Sequence, residues 1–123
     1  MTGSGDRERL LGRWRNTAGE QTRGIVEVEV TPSATGIRVA PRVVGTEGRI
    51  AWPPIDCRVY ACGEEDRQPG AAALGIVELD EMSVELQLRV NKGILCVMSW
   101  TRFRLPGRHA WVTRELFTRE VEP

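Results

Sequence analysis

The sequence has little of what most catalytic and metal sites are built from. Histidine occurs once, at His109, which removes the common metal constellations and any Ser-His-Asp relay that does not use that residue. The three cysteines, Cys57, Cys62 and Cys96, are odd in number and lack a CxxC spacing, so neither a disulfide framework nor a zinc ribbon is indicated. We therefore expect reduced thiols, no metal site and no cofactor.

Long apolar runs and an excess of one charge are missing too. No stretch approaches the roughly 20 apolar residues that span a bilayer, and the first eight residues lack the apolar core of a signal peptide. Lys+Arg and Asp+Glu are equal at 17 each, without a block of like charge, so the electrostatic footprint of a nucleic-acid binder is missing. We expect a cytoplasmic protein that binds neither membranes nor nucleic acid.

Helical periodicity is weak throughout, because no window of useful length places apolar residues at i, i+3, i+4 and i+7. Period-2 alternation is clear instead, above all from Met82 to Val90, where apolar and polar residues alternate. Other strand candidates cover residues 10–16, 25–30, 37–44, 57–61 and 72–79, and two more strands follow before residue 119. About eight short strands predict an all-β, eight-stranded antiparallel up-and-down β-barrel, since closure removes the sheet edges.

The chain divides into a short lead-in and one domain. Residues 1–9 have the composition of a flexible segment, with a helical turn over residues 6–11 left open. Residues 10–123 are enough to bury one core without disulfides or metals. Within this domain, Pro41 suggests an edge or a bulge, and the run Trp52-Pro53-Pro54 predicts a loop over residues 45–54 that crosses one end of the fold.

Two hairpin turns determine which side chains of the last three strands share a face. We interpret residues 91–93 as a three-residue loop that pairs Val90 with Ile94. We interpret residues 106–107 as a tight turn that pairs Leu105 with Arg108 and so places Arg102 opposite Trp111. One face then collects Leu86, Leu88, Cys96, Met98, Trp100, Trp111, Thr113, Glu115 and Phe117. A one-residue slip in either turn would exchange the faces and turn Val97, Ser99, Thr101, Phe103, Val112, Arg114 and Leu116 inward. This second face is apolar enough for a subunit interface, so a homo-oligomer is a reasonable expectation.

The first strand carries a family resemblance. Its Gly12-x-Trp14-x-Asn16 pattern resembles the opening of the avidin and streptavidin family, and the shorter Gly12-x-Trp14 looks like the opening of the lipocalins. The resemblance implies a small calycin barrel in which the tryptophan closes one end and an arginine of the last strand, here Arg119, packs across it. It also implies that Asn16 contacts a ligand. Residues 17–23 lack the serine and tyrosine arrangement of a biotin site, so biotin is not the expected ligand.

The predicted interior supplies the candidate site. Glu115 is the candidate catalytic residue, because it would be a carboxylate among apolar side chains; the alternative is a Glu115 that faces solvent or an arginine. Tyr60 would add a hydroxyl anchor or lie at the rim. The candidate ligand-binding residues are Asn16, Tyr60, Leu86, Met98, Trp100, Trp111, Thr113 and Phe117. A barrel filled by its own side chains is the competing interpretation.

Three functions remain open at this level. The first is binding of an apolar or amphipathic small molecule in an aromatic-lined interior. The second is a cofactor-free cyclase or isomerase of the (4+2) cyclisation type acting on a polyketide-like substrate, which needs shape more than reactive groups. Small lipocalin-like barrels that perform such cyclisations are the resemblance behind it. The third is a structural or oligomerising module that uses the exposed apolar face of the last strands.

Overall fold

A closed ring of antiparallel strands dominates the computed structural model, which describes residues 3–19, 24–45, 48–61 and 71–120. One helix, α1 (Gly3–Leu10), precedes the strands within these ranges. The strands are β1 (Gly12–Asn16), β2 (Ile25–Ser33), β3 (Gly36–Gly45), β4 (Gly48–Ala51), β5 (Ile55–Ala61), β6 (Ala71–Glu78), β7 (Met82–Asn91), β8 (Ile94–Phe103) and β9 (Trp111–Arg119). Helix α1 occupies the segment for which the sequence indicates a flexible lead-in. The described part of the chain contains no helix long and apolar enough to cross a bilayer.

The strand order is β2-β1-β9-β8-β7-β6-β5-β3-β4, and an additional pairing of β2 with β3 closes the ring. Strands β4 and β5 both pair with β3, β5 at residues 37–39 and β4 at residues 42–45, so together they fill one strand position. The result is an eight-stranded antiparallel up-and-down barrel, which confirms the predicted fold. Its architecture is compatible with a calycin-like barrel.

Pro41 lies where β3 changes partner from β5 to β4. Its carbonyl accepts a hydrogen bond from the backbone N–H of Trp52, and Val28 is its partner on β2. A proline has no N–H to offer a ladder, so a break between two partner strands is a position that tolerates it. The predicted irregular loop over residues 45–54 is wrong in part, because residue 45 ends β3 and residues 48–51 form β4. Of the described residues in this range, 52–54 have no regular structure.

Trp14 closes one end of the barrel. Its side chain is fully buried, and its indole N–H donates to the carbonyl oxygen of Leu10 at 2.9 Å. The guanidinium of Arg119 lies over the indole ring, 4.5 Å from its centroid, and donates to the carbonyl of Arg9 at 2.7 Å. The arginine of the last strand therefore packs across the tryptophan of the first, as expected from the calycin resemblance, and we call this the closed end.

The predicted register between β7 and β8 is one residue off. Lys92 and Gly93 both have positive φ, 53° and 79°, and form a two-residue turn that pairs Asn91 with Ile94. The inward side chains of β8 are therefore Leu95, Val97, Ser99 and Thr101, while Cys96, Met98 and Trp100 lie on the outer face. A two-residue hairpin of type I′ needs left-handed backbone at both central positions, and lysine has no preference for that backbone by which the sequence could reveal it.

The register between β8 and β9 is also shifted by one residue from its prediction. Thr101 pairs with Trp111, and Leu95 pairs with Phe117. The second error reverses the effect of the first, because each one-residue shift exchanges the two faces of the next strand. The inward side chains of β9 are therefore those that the sequence predicts: Trp111, Thr113, Glu115 and Phe117.

The interior is filled from the closed end to about the middle. Phe117, Leu86 and Leu88 are fully buried there, together with Val28 and Val39 from the opposite wall. On the outer face of β2, the Glu27 carboxylate is nearly buried within 4.0 Å of the guanidinium groups of Arg13, Arg15 and Arg42. The competing interpretation of a filled barrel is thus correct for this half.

Candidate functional site

A cavity of about 400 Å³ occupies the end of the barrel opposite Trp14. Trp111 and Arg119, at the two ends of β9, mark the cavity and the closed end respectively. The residues that line the cavity are Gly24, Ile25, Val43, Trp52, Ser99, Thr101, Trp111, Thr113 and Glu115. We call this cavity the cup. Its volume falls within the range of small-molecule sites, about 300–1,000 Å³.

One wall of the cup is polar. Ser99 and Thr101 on β8 and Thr113 and Glu115 on β9 occupy alternate positions, which the period of two turns to the same side of the sheet. The hydroxyls of Ser99 and Thr113, directly opposite each other, share a hydrogen bond that either can donate. Deeper in the barrel the equivalent inward positions on β8 and β9 carry Val97, Leu95 and Phe117, so the polar part of this wall ends with the cup.

The facing wall and the rim are apolar. Ile25 of β2, Val43 of β3 and Trp52 after β4 form the wall. The side chain of Trp111 is 49% exposed and forms the rim, where the ring of Phe103 packs edge-on against it with centroids 5.0 Å apart. The cup therefore combines large apolar surfaces with a few convergent polar groups, the usual composition of a small-molecule site.

Asn16 holds the carboxylate of Glu115 in place. Its side-chain N–H₂ group donates to Glu115 Oε2 at 2.8 Å and to the carbonyl of Ile25 at 2.8 Å. Its side-chain oxygen accepts from the backbone N–H of Ala18 at 2.8 Å. Both donors and one acceptor of this nearly buried amide are thus used within the protein. A direct contact between Asn16 and a ligand stays a prediction.

Gly24 lies against the other oxygen of the same carboxylate. A Cβ atom built on Gly24 would lie 2.6 Å from Glu115 Oε1, closer than van der Waals contact allows. Any larger residue at position 24 would therefore displace the carboxylate, which is the flexible end of a side chain. Asn16 and Gly24 together define where the Glu115 oxygens lie in the cup.

The structure brings some predicted site residues together and separates others. Glu115, Thr113 and Trp111 line the cup, and Asn16 lies behind Glu115. Leu86 and Phe117 are fully buried in the filled half of the interior. Three predicted site residues, Tyr60, Met98 and Trp100, lie outside the barrel: Tyr60 is 50% exposed on β5, and the other two follow the register of β8. Because these three side chains are on the outer face, they do not line the interior.

The prediction missed several residues of the cup. Ser99 and Thr101 belong to the face that a one-residue slip turns inward, so the alternative register contains them. Trp52 belongs to the Trp-Pro-Pro run. The sequence predicts that this run crosses one end of the fold, but it does not predict which end. Gly24 gives no local signal, because its role depends on Glu115, 91 positions further along the chain.

Within the described residues, the cysteines and the candidate metal ligands outside the cup do not form a second site. Burial raises the pKa of the Cys57 thiol to about 11, and the neighbouring Asp56 charge adds to the effect, so this thiol is a poor nucleophile. Cys57 and Cys96 are free thiols, while Cys62 lies outside the described residues. Among the residues described, no three His, Cys, Asp or Glu side chains come together as a metal site requires.

Comparison of the chain with protein-family models, with curated proteins and with solved structures finds no significant match. The geometry of the cup is therefore the basis for a proposed function.

Proposed function

We propose that the protein binds an amphipathic small molecule in the cup. The observation that carries the proposal is the division of one cavity into a polar wall with a positioned carboxylate, Glu115, and an apolar wall with Trp52 at its edge. A ligand with one hydrogen-bond donor and an apolar body satisfies both walls. Such a ligand donates to Glu115 and packs its body against Trp52 and Trp111.

The cup is preformed, which supports binding without a large ordering cost. Glu115 is oriented by Asn16, and the hydroxyls of Ser99 and Thr113 are oriented by each other. All four side chains are carried by strands, and sites built on strands are held more accurately than sites on loops. A preorganised site loses less entropy when the ligand arrives, so more of the contact free energy appears as affinity.

A lipocalin-type barrel is the second element of the proposal. The packing of Arg119 across Trp14 supports the lipocalin side of the calycin resemblance. On the avidin side, Asn16 is engaged with Glu115 and Ile25. A barrel of the lipocalin type fits the proposed ligand class, since among the described residues the cup lies at one end and Trp14 closes the other.

Fluorescence of N-phenyl-1-naphthylamine tests the binding proposal. This neutral probe has one N–H donor and an apolar body, and its emission rises in a dry pocket. We expect saturable binding that Thr113→Phe weakens at least tenfold, because the new ring fills the cup. Arg114→Phe, at the next position on β9 and on the outer face, is the matched control and should stay within twofold. Circular dichroism confirms the fold of both variants. No saturable binding, or equal affinity in all three proteins, would refute the proposal.

The cyclase alternative stays a prediction that the same cup supports. A cyclase of this kind gains rate from holding a flexible chain in one reactive conformer, and a cup with one positioned carboxylate is sufficient for that. Its coding sequence should then lie among genes for polyketide assembly. Turnover of a linear polyketide-like precursor, reduced in Thr113→Phe and unchanged in Arg114→Phe, would support catalysis.

Self-association is the remaining prediction. The outer face of β8 and β9 carries the exposed apolar side chains Ile94, Val112 and Leu116. If two copies pack through this face, sedimentation velocity should find a dimer that Val112→Lys converts to a monomer. A wild-type monomer at high micromolar concentration would remove this function.

A further inference from the structure

A second cavity, of about 330 Å³, lies at the closed end, on the opposite side of the barrel from the cup. It is lined by Arg9 from α1, Trp14, Arg119 and the turn between β7 and β8, which contributes Val90, Asn91, Lys92 and Gly93. The cup and this cavity share no lining residue. A ligand here would be bound independently of the proposed function of the cup.

All the charged residues that line this closed-end cavity are positive. Arg9, Lys92 and Arg119 line it, and none of the other lining residues is acidic. Elsewhere on the surface arginines pair with carboxylates, as Arg15 does with Glu120 at 2.8 Å and Arg38 with Asp56 at 3.1 Å. Within the part of the chain that the structure describes, none of the three lining cations has such a carboxylate partner within 4.0 Å.

One of the three cations is held in place before any ligand arrives. Arg119 is fixed by its stacking on Trp14 and by its hydrogen bond to the carbonyl of Arg9. A guanidinium carries five N–H donors in a planar fork, so these contacts leave donors for an oxyanion. The backbone of Lys92 is fixed by a two-residue turn with positive φ at both positions. The side chain of Arg119 is therefore held by contacts with Trp14 and α1, and the backbone that carries Lys92 is held by the turn.

We propose that the closed-end cavity binds an oxyanion, the phosphate or carboxylate group of a small organic acid. Three cations that line one cavity repel one another, and an oxyanion bound in that cavity replaces the repulsion with charge-assisted hydrogen bonds. Trp14 and Val90 also line the cavity but are 0% and 5% exposed, so the recognition is of the oxyanion group itself. Inorganic phosphate and citrate serve as probes for the two kinds of oxyanion.

Nuclear magnetic resonance titration of the whole chain tests the proposal. At constant ionic strength, phosphate or citrate should shift the Trp14 indole N–H and the Gly93 amide along a saturable curve, and leave the Trp111 indole N–H unchanged. Phosphate alone, citrate alone or both saturating identifies the oxyanion class. The double variant Arg9→Gln/Lys92→Asn should weaken binding at least tenfold, because it removes two charge-assisted contacts. Asn tolerates left-handed backbone, so the turn is retained.

Arg102→Gln is the matched control, since it removes one positive charge from an exposed position on β8. Its affinity for the probes should stay within twofold of the wild type. Shifts that grow linearly with both probes, or that chloride reproduces, would overturn the proposal. Equal affinity in the double variant and the wild type would also overturn it, because binding would then occur elsewhere.

Discussion

Arg119 and Trp14 are directly paired across the seam where the last strand meets the first. The guanidinium carbon lies 4.5 Å from the centroid of the indole ring, and the same guanidinium donates to the end of α1. Only three residue pairs join β1 to β9, against ten between β7 and β8. A short ladder provides few backbone hydrogen bonds, so side-chain contacts must supply much of the stability of this seam.

Arg119→Gln should therefore destabilise the barrel. The variant loses the cation–π contact and the hydrogen bond to Arg9, and we expect the free energy of unfolding to fall by about 1–3 kcal/mol. Urea denaturation measures the change. Arg102→Gln, an exposed arginine on β8, should stay within about 0.5 kcal/mol of the wild type. Equal losses in both variants would mean that the stacking contributes nothing specific.

Gly24→Ala should disturb Glu115 and little else. The new methyl group would overlap Glu115 Oε1, so the carboxylate must move away from Asn16. We expect a loss of about 1 kcal/mol in the free energy of unfolding, the value of one weakened hydrogen bond. The control is the same substitution in a Glu115→Ala background, where there is no carboxylate to displace.

A double-mutant cycle over these proteins isolates the contact. The loss caused by Gly24→Ala should be at least halved when Glu115 is already Ala. An undiminished loss would show that the substitution acts on the backbone of residue 24 and leaves the carboxylate in place.

The register of β8 makes Trp100 and Phe117 respond differently to truncation. Phe117 is fully buried in the filled half of the barrel, so Phe117→Ala should cost about 3–5 kcal/mol. Trp100 lies on the outer face, so Trp100→Ala should cost about 1 kcal/mol despite the larger side chain. Thermal and urea denaturation compare the two. A larger loss for Trp100→Ala would restore the predicted register, in which Trp100 points inward.

These residues show what the sequence is able to predict here. The alternation of apolar and polar residues in β7 and the hairpin spacing are local signals. They are sufficient to predict an eight-stranded barrel from the sequence. The family resemblance at Gly12 and Trp14 is sufficient to predict that Arg119 packs across Trp14. The faces of β9 are also correct, yet only because two turn errors cancel.

The rest depends on information that is not local. The conformation of Lys92 is set by the hairpin that it closes, and lysine has no preference for left-handed backbone that would reveal it. Ser99 and Thr101 look like ordinary outer-face residues of a strand until the register is known. Gly24 and Trp52 enter the cup from distant segments, so no spacing along the chain connects them with Glu115.

The buried thiol of Cys57 predicts a dependence of stability on pH. Its pKa in the folded protein is raised from 9.0 to about 11 by burial, so the folded state retains a proton that the unfolded state releases above pH 9. The stabilisation is therefore complete below pH 9 and is lost as the pH rises toward 11. The free energy of unfolding of the wild type, relative to Cys57→Ala, should fall between pH 9 and pH 11. A constant difference would mean that the thiol titrates alike in both states.

The turn between β7 and β8 gives the most direct test of the register. Lys92 has a φ of 53°, a conformation that costs an ordinary L-residue about 1–2 kcal/mol and that asparagine adopts more readily. Lys92→Asn should therefore raise the free energy of unfolding by about 0.5 kcal/mol, and Lys92→Val should lower it by at least about 1 kcal/mol, because a β-branched side chain tolerates positive φ least. Urea denaturation at high salt, which screens the charge of Lys92, measures both. In the predicted three-residue loop only the glycine is left-handed, so Lys92 would have ordinary backbone and neither substitution would have this effect. Opposite signs for Asn and Val thus distinguish the two-residue turn from the three-residue loop, and with it the inward position of Ser99 and Thr101 in the cup.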